Sequence, residues 1–236
     1  MMNRFGPFLF ALFFALSLLW PLQAQSQSQG ISPKNAQNTA AQKGAPPGQF
    51  DFYVLALSWS PSYCADGGAQ RSPDQCTPGA GRGFVVHGLW PQFAKGYPLS
   101  CPSERKDLPK TLLETALALY PDAKLASVEW QRHGTCSGLE PQAYLDAVAL
   151  ARARVTVPPA FASKAPPSEL SPSALETAFA DSNPGLDKTM MGISCRKGQL
   201  REVRICFTKD LKSFQVCPEI DRGACRASKM SVPQAQ

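Results

Sequence analysis

The sequence predicts an α+β domain in which a mainly antiparallel sheet is flanked by helices and stabilised by disulfides. Three observations support this fold class. Strands and helices are interspersed along the chain. Short apolar or alternating segments typical of strands cluster after residue 190. The chain also contains eight cysteines, an even number that suits complete pairing.

Residues 1–24 are predicted to form a signal peptide. Arg4 supplies a positive charge, residues 8–20 form an apolar stretch, and Ala24 offers a small residue at the cleavage point. The apolar stretch is shorter than the roughly 20 residues that a membrane span needs. We therefore expect a secreted or periplasmic protein with no membrane association after cleavage. An uncleaved N-terminal anchor is the alternative.

The segment that follows the signal peptide, residues 25–47, is predicted to be a flexible leader. It has almost no large apolar side chain, so burial cannot offset the entropy lost on ordering it. The folded domain is expected at residues 48–226, with a polar tail at 227–236. This length suits one hydrophobic core, and we expect a monomer.

The domain begins with a predicted central strand at residues 50–57, which are apolar on both faces. A loop rich in glycine, proline, serine and aspartate follows at residues 64–83. Residues 83–87 are predicted to form a second short strand, with His87 at or near its end. The chain is then expected to turn out of the sheet at residues 90–91.

Helices are predicted next, from apolar residues repeating with a period near 3.6. The first is expected to begin after Asp107, with Pro109 in its first turn, and to stop at Pro121. The predicted helices cover residues 106–120, 128–133, 141–154 and 171–183, with a loop at residues 157–167. Three further strands are predicted at residues 190–195, 203–207 and 214–217.

The cysteines and the net charge limit which metals, cofactors and partners can be expected. In an exported protein, eight cysteines predict four disulfides. No pair has the CxxC spacing of a zinc or redox site, so we expect no metal and no cofactor. The formal charge is +6, or +5 once Arg4 has been removed with the signal peptide. This charge allows a polyanionic partner through phosphate contacts, although many mildly basic exported proteins bind no anion.

The two histidines of the chain are the strongest indication of chemistry, since imidazole titrates near neutral pH. His87 lies in the segment HGLWP (87–91), and His133 lies in EWQRHGTC (129–136). In a helix, Glu129 and His133 would project from the same side, so that the carboxylate would orient the imidazole and favour its charged form. Arg132 adds a guanidinium suited to a phosphate oxyanion. These groups are typical of a phosphodiester-cleaving site.

Structural explanations compete with this interpretation. The Glu129–His133 pair alone is more often an ordinary ion pair on a helix, and Trp90 and Trp130 alone are more often core aromatics. A metal site needs at least three ligands, and Glu129 and His133 supply two in the reverse order of the HExxH pattern. A cysteine nucleophile is disfavoured because every cysteine has a candidate partner. The chain contains no GxSxG motif of the kind that serine hydrolases carry.

The segments HGLWP and EWxxHGTC, whose histidines are 46 residues apart, resemble the two active-site segments of the ribonuclease T2 family. The segment LSWxxxYC (57–64) resembles the first strand of that family and the cysteine after it. The resemblance covers roughly residues 50–225. It implies that His87, Glu129 and His133 are catalytic. Weaker matches assign transition-state or phosphate contact to Arg132 and base binding to Trp90, Gln92 and Tyr97. The family's disulfides suggest Cys64–Cys76, Cys101–Cys136, Cys195–Cys225 and Cys206–Cys217.

The sequence departs from the family at two positions. Val128 stands where many members have an additional histidine that helps to bind the scissile phosphate, and Arg132 stands where lysine is usual. Arginine keeps the positive charge but changes its geometry. Neither departure removes the two histidines that would act as acid and base.

The resemblance implies a metal-independent endoribonuclease of low base specificity that acts on single-stranded RNA. Its 2′-OH would attack the adjacent phosphorus to give a 2′,3′-cyclic phosphate and then a 3′-phosphate. His133, oriented by Glu129, is expected to be the base and His87 the acid, although the sequence allows the reverse. The alternative is a catalytically weakened T2-like protein that binds RNA or acts as an effector. A disulfide-rich structural protein of the cell envelope is a third and more remote class.

Overall fold

The segment predicted as the first strand lies at the centre of the sheet. The computed structural model describes residues 41–162 and 166–234, which belong to one compact unit. The predicted signal peptide and residues 25–40 of the predicted leader lie outside the described residues. In the part of the chain that is described, no helix is both long and apolar enough to cross a membrane.

The strands are β1 (Ala41–Lys43), β2 (Phe52–Trp59), β3 (Phe84–Gln92), β4 (Tyr97–Leu99), β5 (Glu169–Leu170), β6 (Met191–Arg196), β7 (Gln199–Thr208) and β8 (Met230–Ser231). The α-helices are α1 (Ser60–Tyr63), α2 (Ala69–Arg71), α3 (Leu113–Leu117), α4 (Ala123–Arg132), α5 (Pro141–Ala153), α6 (Pro159–Ala162), α7 (Pro172–Ser182) and α8 (Pro218–Arg222). Cys64–Gly68 forms a kinked helical turn, and short 3-10 helices cover Asp74–Cys76, Lys110–Leu112, Gly134–Ser137 and Lys188–Met190.

Among the described residues, six strands form one sheet in the order β3-β2-β7-β8-β5, and β6 also pairs with β7. The pairings are antiparallel except for a single parallel contact between β7 and β8. The predicted α+β fold with a mainly antiparallel sheet is therefore confirmed. A separate parallel pair joins β1 to β4.

The two faces of β2 have different roles, because successive side chains of a strand point to opposite faces. Its odd-numbered residues, including Leu55 and Trp59, join the main hydrophobic core. Phe52 and Val54 on the other face pack with the Cys206–Cys217 disulfide and with Trp90. All eight residues of β2 are buried, which explains why this strand is apolar apart from Ser58.

Both ends of the folded region extend beyond the predicted limits. β1 belongs to the segment predicted as leader, and nearby Ala45 packs against Cys101 and Cys136. At the other end, Met230 and Val232 of the predicted tail are each 1% exposed and complete the core. Composition could not predict these contacts at either end, because the two short segments are buried only by residues elsewhere in the fold.

Several predicted elements differ in extent. The helix predicted at residues 106–120 is reduced to Lys110–Leu112 and α3, because the backbone at Pro109 is extended. Leu117, the last residue of α3, is 49% exposed. The strand predicted at residues 214–217 is wrong, since Phe214 forms an isolated bridge with Phe207. Part of the predicted loop at residues 157–167 is helical, as α6. The strand predicted at residues 83–87 continues to Gln92.

Candidate active site

A β-bulge in β3 presents the first histidine. Gly88 pairs with Ala56 of β2 and Val86 pairs with Leu57, so His87 is the extra residue between these pairs. A bulge locally breaks the ladder and changes the direction in which a side chain points. His87 therefore lies inside a strand and not at its end, and its side chain remains 31% exposed.

His87 lies between two carboxylates. Its Nδ1 is 2.5 Å from Oε2 of Glu202 on β7, and its Nε2 is 3.7 Å from Oε1 of Glu129 on α4. Burial opposes the charged imidazole, but the two carboxylates outweigh this effect and raise the pKa of His87 above its ordinary value. The two carboxylates therefore favour the charged form of His87.

Glu129 is held against β3 by Trp90, whose indole Nε1 donates a hydrogen bond of 2.7 Å to Oε2 of the carboxylate. The glycine at position 88 permits this approach. A Cβ atom there would lie 2.1 Å from Glu129 Oε2 and 2.3 Å from Trp90 Nε1. Burial raises the pKa of Glu129, although charged His87 and the bond from Trp90 oppose the increase.

The second histidine lies just beyond α4. His133 has a φ of −124° and a ψ of −44°, outside the helical region, and it is 7% exposed. Its Nδ1 is buried and has no hydrogen-bond partner among the described residues. Burial, together with the positive charges of Arg132 and His87, lowers the pKa of His133 to about 3. His133 is therefore neutral over the usual working range of pH.

This geometry corrects the predicted role of Glu129 toward His133. The helix ends at Arg132, so His133 does not continue the helical face that Glu129 occupies. The carboxylate instead contacts Trp90 and His87. The predicted helix at residues 128–133 is also longer and begins at Ala123, where Asp122 accepts a capping hydrogen bond from the Leu125 N–H.

Trp90 connects the two histidines. Its ring centroid lies 5.2 Å from that of His87 and 5.3 Å from that of His133. The centroids of the two imidazoles are therefore at most 10.5 Å apart, and both rings contact the same indole. A charged and a neutral imidazole at this separation can serve the same small group as proton donor and proton acceptor.

The segment around His133 is fixed by a disulfide. Cys101–Cys136 joins the chain after β4 to the turn after α4, and Ser100 N–H donates to the Arg132 carbonyl at 2.8 Å. Cys64–Cys76, Cys195–Cys225 and Cys206–Cys217 are the other disulfides. These four pairs are the ones that the resemblance implied, and no cysteine of the described residues is free.

A cavity of about 270 Å³ opens beside His87. Val128, from α4, and Glu202 contribute to its wall. The cavity also has three cationic side chains in its lining, Arg71, Lys124 and Arg201. Asp122 and Glu202 are also in the lining, so the cavity carries a small excess of positive side chains beside His87.

Sequence reasoning missed Glu202, which is 2% exposed. A signal for it was present in the strand predicted at residues 203–207. When Val203 and Ile205 face the core, the two-residue period puts Glu202 and Arg204 on the opposite face. The pairing shows which residues share that face, since Ala56 is opposite both Gly88 and Arg204.

Residues 50–217 match the family model described as the Ribonuclease T2 family. The chain belongs to the ribonuclease T2 family. A ribonuclease from Aeromonas hydrophila is 48% identical over 102 residues, which are 43% of this chain and 45% of that protein. A probable ribonuclease from Haemophilus influenzae is 41% identical over 106 residues, covering 40% of this chain and 39% of the relative. The matched region thus spans less than half of each of these two relatives.

Longer matches also occur among T2 family members. Ribonuclease DdI from Dictyostelium discoideum is 27% identical over 203 residues, covering 77% of this chain and 84% of the relative. The crystal structure of RNase NT in complex with 5′-AMP aligns with a TM-score of 0.63 and 25% identity. That alignment covers 79% of this chain and 99% of RNase NT.

The structure of this T2 family member also locates three weaker candidates, Gln92, Tyr97 and Arg132. Gln92 is the last residue of β3 and is 7% exposed, and its amide donates to the Pro91 carbonyl at 3.1 Å. Tyr97 is the first residue of β4. Gln92 and Tyr97 therefore lie on two different strands. Arg132 is exposed at the end of α4, where its charge acts on both Glu129 and His133.

Proposed function

We propose that this protein is a metal-independent endoribonuclease that cleaves single-stranded RNA by attack of the ribose 2′-OH. One arrangement carries the proposal: His87 and His133 both contact the Trp90 ring, and their surroundings favour a charged His87 and a neutral His133. The reaction needs one imidazole in each of these states. Membership of the T2 family supports RNA as the substrate class.

The differing environments of the two histidines assign their roles. His133 accepts the 2′-OH proton, and it does so through Nε2 because Nδ1 is buried. The 2′-oxygen then forms a bond to phosphorus while the bond from phosphorus to the 5′-oxygen breaks. His87 gives a proton to that leaving oxygen from Nε2, since its Nδ1 faces Glu202. In the second step the roles reverse. His87 deprotonates a water molecule, whose oxygen forms a bond to phosphorus while the bond from phosphorus to the 2′-oxygen breaks, and His133 gives its proton to that 2′-oxygen.

Two groups are proposed to stabilise the charge that develops on the phosphoryl oxygens. The guanidinium of Arg132 supplies a positive charge beside both Glu129 and His133. In the free protein the Glu129 carboxylate supports the charge on His87. Burial raises the pKa of Glu129, and an anionic phosphate beside it would raise that pKa further, so bound substrate favours the protonated form. A protonated Glu129 can donate a hydrogen bond to a phosphoryl oxygen.

The remaining parts of the proposal concern specificity and location. Low base specificity is supported by Gln92, because it is only 7% exposed and is poorly placed to read a base edge. Secretion or a periplasmic location is supported by four disulfides, which persist in oxidising compartments. A monomer without membrane attachment remains a prediction, which light scattering of the purified protein tests.

Cleavage assays with the purified protein test the proposed activity. We expect homopolymeric RNA to be cut to 2′,3′-cyclic phosphate ends, with or without EDTA, and a DNA of the same sequence to remain intact because it lacks the 2′-OH. His87→Ala and His133→Ala should each lower kcat/KM by about 10²–10⁴-fold. Gln142→Ala, an exposed change on α5, is the control variant and should retain full activity.

The result also decides between an enzyme and a binding protein. Val128, on the cavity wall beside His87, is the feature that favours a weakened enzyme. RNA that binds the protein but is not cleaved would support that alternative. Cleavage that survives replacement of His87 would show that the site has been assigned wrongly.

A further inference from the structure

Glu202 has both carboxylate oxygens engaged within the site. Oε2 lies 2.5 Å from Nδ1 of His87, and Oε1 accepts a hydrogen bond of 2.7 Å from Nε of Arg204. Glu202 is almost fully buried, whereas the Arg204 side chain is 38% exposed. Burying a carboxylate costs free energy unless charged partners offset it, and here His87 is one of those partners.

The strand register explains how this contact forms. His87 lies on β3 and Glu202 on β7, which are separated by β2. The residues of β2 that pair with this part of β7 on the same face are Ala56 and Ser58, both small. The bulge in β3 turns His87 so that its side chain reaches over Ala56 and Ser58 toward β7. Larger residues at positions 56 and 58 would stand between the imidazole and the carboxylate.

We propose that Glu202 is a positioning residue that holds the His87 ring with Nε2 toward the substrate and keeps that imidazole charged, while Arg204 limits the effect. The inference rests on the proposed ribonuclease function and adds the group that makes His87 the acid. A hydrogen bond to one ring nitrogen fixes which nitrogen is available to the substrate. Glu129, whose separation from Nε2 is 3.7 Å, faces the reacting side of the same ring.

The competing charges around His87 are few enough to test separately. From β7, Glu202 raises the pKa of His87 and Arg204 lowers it, and from α4, Glu129 raises it. His133 adds a positive charge when it is protonated. The other charged side chains on the wall of the cavity beside His87 are Arg71, Asp122, Lys124 and Arg201.

The test is the pH dependence of kcat/KM for RNA cleavage, whose alkaline limb reports loss of the proton from His87. Glu202→Gln keeps the shape of the side chain but removes its charge and leaves the Arg204 charge unbalanced. We expect the alkaline limb to move to lower pH by about 1–3 pH units. Arg204→Gln removes the opposing charge, so the limb should move to higher pH.

Two further variants separate positioning from packing. Glu202→Asp restores the charge, so its alkaline limb should lie close to that of the wild type even if the shorter side chain lowers kcat. Glu176→Gln is the control, because Glu176 is also buried, at 9% exposed, but lies on α7 away from the histidines. It should leave the pH profile unchanged. If Glu202→Gln fails to fold, the half-exposed Arg204→Gln still tests the proposal.

Opposite movements of the alkaline limb in Glu202→Gln and Arg204→Gln would support the proposal, since a general loss of packing cannot produce them. Lower rates with an unchanged limb in both variants would overturn it. Inactive His87→Ala combined with unchanged limbs would refute the role of Glu202 but retain the proposed function. Active His87→Ala would refute the proposed function itself.

Discussion

Replacing His133 by Gln should make the protein less sensitive to acid, although it removes the proposed base. His133 is buried, and its pKa is lowered to about 3 from an ordinary value of 6.5. Between these two values the unfolded chain binds a proton at this position and the folded protein does not. Stability therefore falls as the pH decreases through this range, down to about pH 3. Glutamine does not titrate, so this contribution disappears in the variant.

The size of the effect follows from the same two values. Each pH unit between them is worth about 1.4 kcal/mol of unfolding free energy. Acidification from about pH 6.5 to about pH 4 should therefore cost the wild type about 3 kcal/mol through His133 alone. Buried carboxylates also titrate in acid, but they are present in both proteins. The difference between wild type and variant isolates the histidine.

Urea denaturation with the disulfides intact, at about pH 7 and about pH 4, measures this difference. We expect the wild type to lose about 3 kcal/mol more than His133→Gln over this interval. Gln142→Ala, which changes an exposed side chain, should lose as much as the wild type. Equal losses in His133→Gln and the wild type would show that His133 is not kept neutral by the fold.

Three further changes test other parts of the site. Gly88→Ala should lower kcat/KM about 10²-fold, because the new Cβ would displace the Glu129 carboxylate; near-normal activity would refute the need for glycine. Replacing Cys101 and Cys136 together by Ala opens a link across 35 residues and should lower the unfolding free energy by about 3–4 kcal/mol in urea titrations; a loss below about 1 kcal/mol would contradict this. Val128→His adds an imidazole to the cavity wall and should lower KM for RNA several-fold at mildly acidic pH; an unchanged or higher KM would refute a phosphate contact at this position.

The sequence was most informative where residue type and spacing are tied to chemistry. The two motifs were sufficient to predict His87, Glu129 and His133 as one site, and the structure brings all three to Trp90. Their contacts could not be predicted, because they depend on backbone details. The bulge at His87 and the end of α4 before His133 decide which imidazole Glu129 approaches.

Glu202 shows a second limit of sequence reasoning. It lies 115 residues from His87 in the chain, and the two meet only because β3 and β7 flank β2. The full length of β3 could not be predicted from the sequence either, since Pro91 suggested a turn. β3 lies at the end of the strand order, where proline is tolerated because its missing N–H is not needed by a second neighbour.

The ionisation states of the two imidazoles provide the most direct test of the central claim. The chain has two histidines, so a ¹H–¹⁵N spectrum of the untagged protein contains one set of ring signals for each, and His87→Ala assigns them. We predict that near pH 6 His87 carries a proton on both nitrogens while His133 is neutral. Two neutral rings, two charged rings, or the reverse assignment would contradict it.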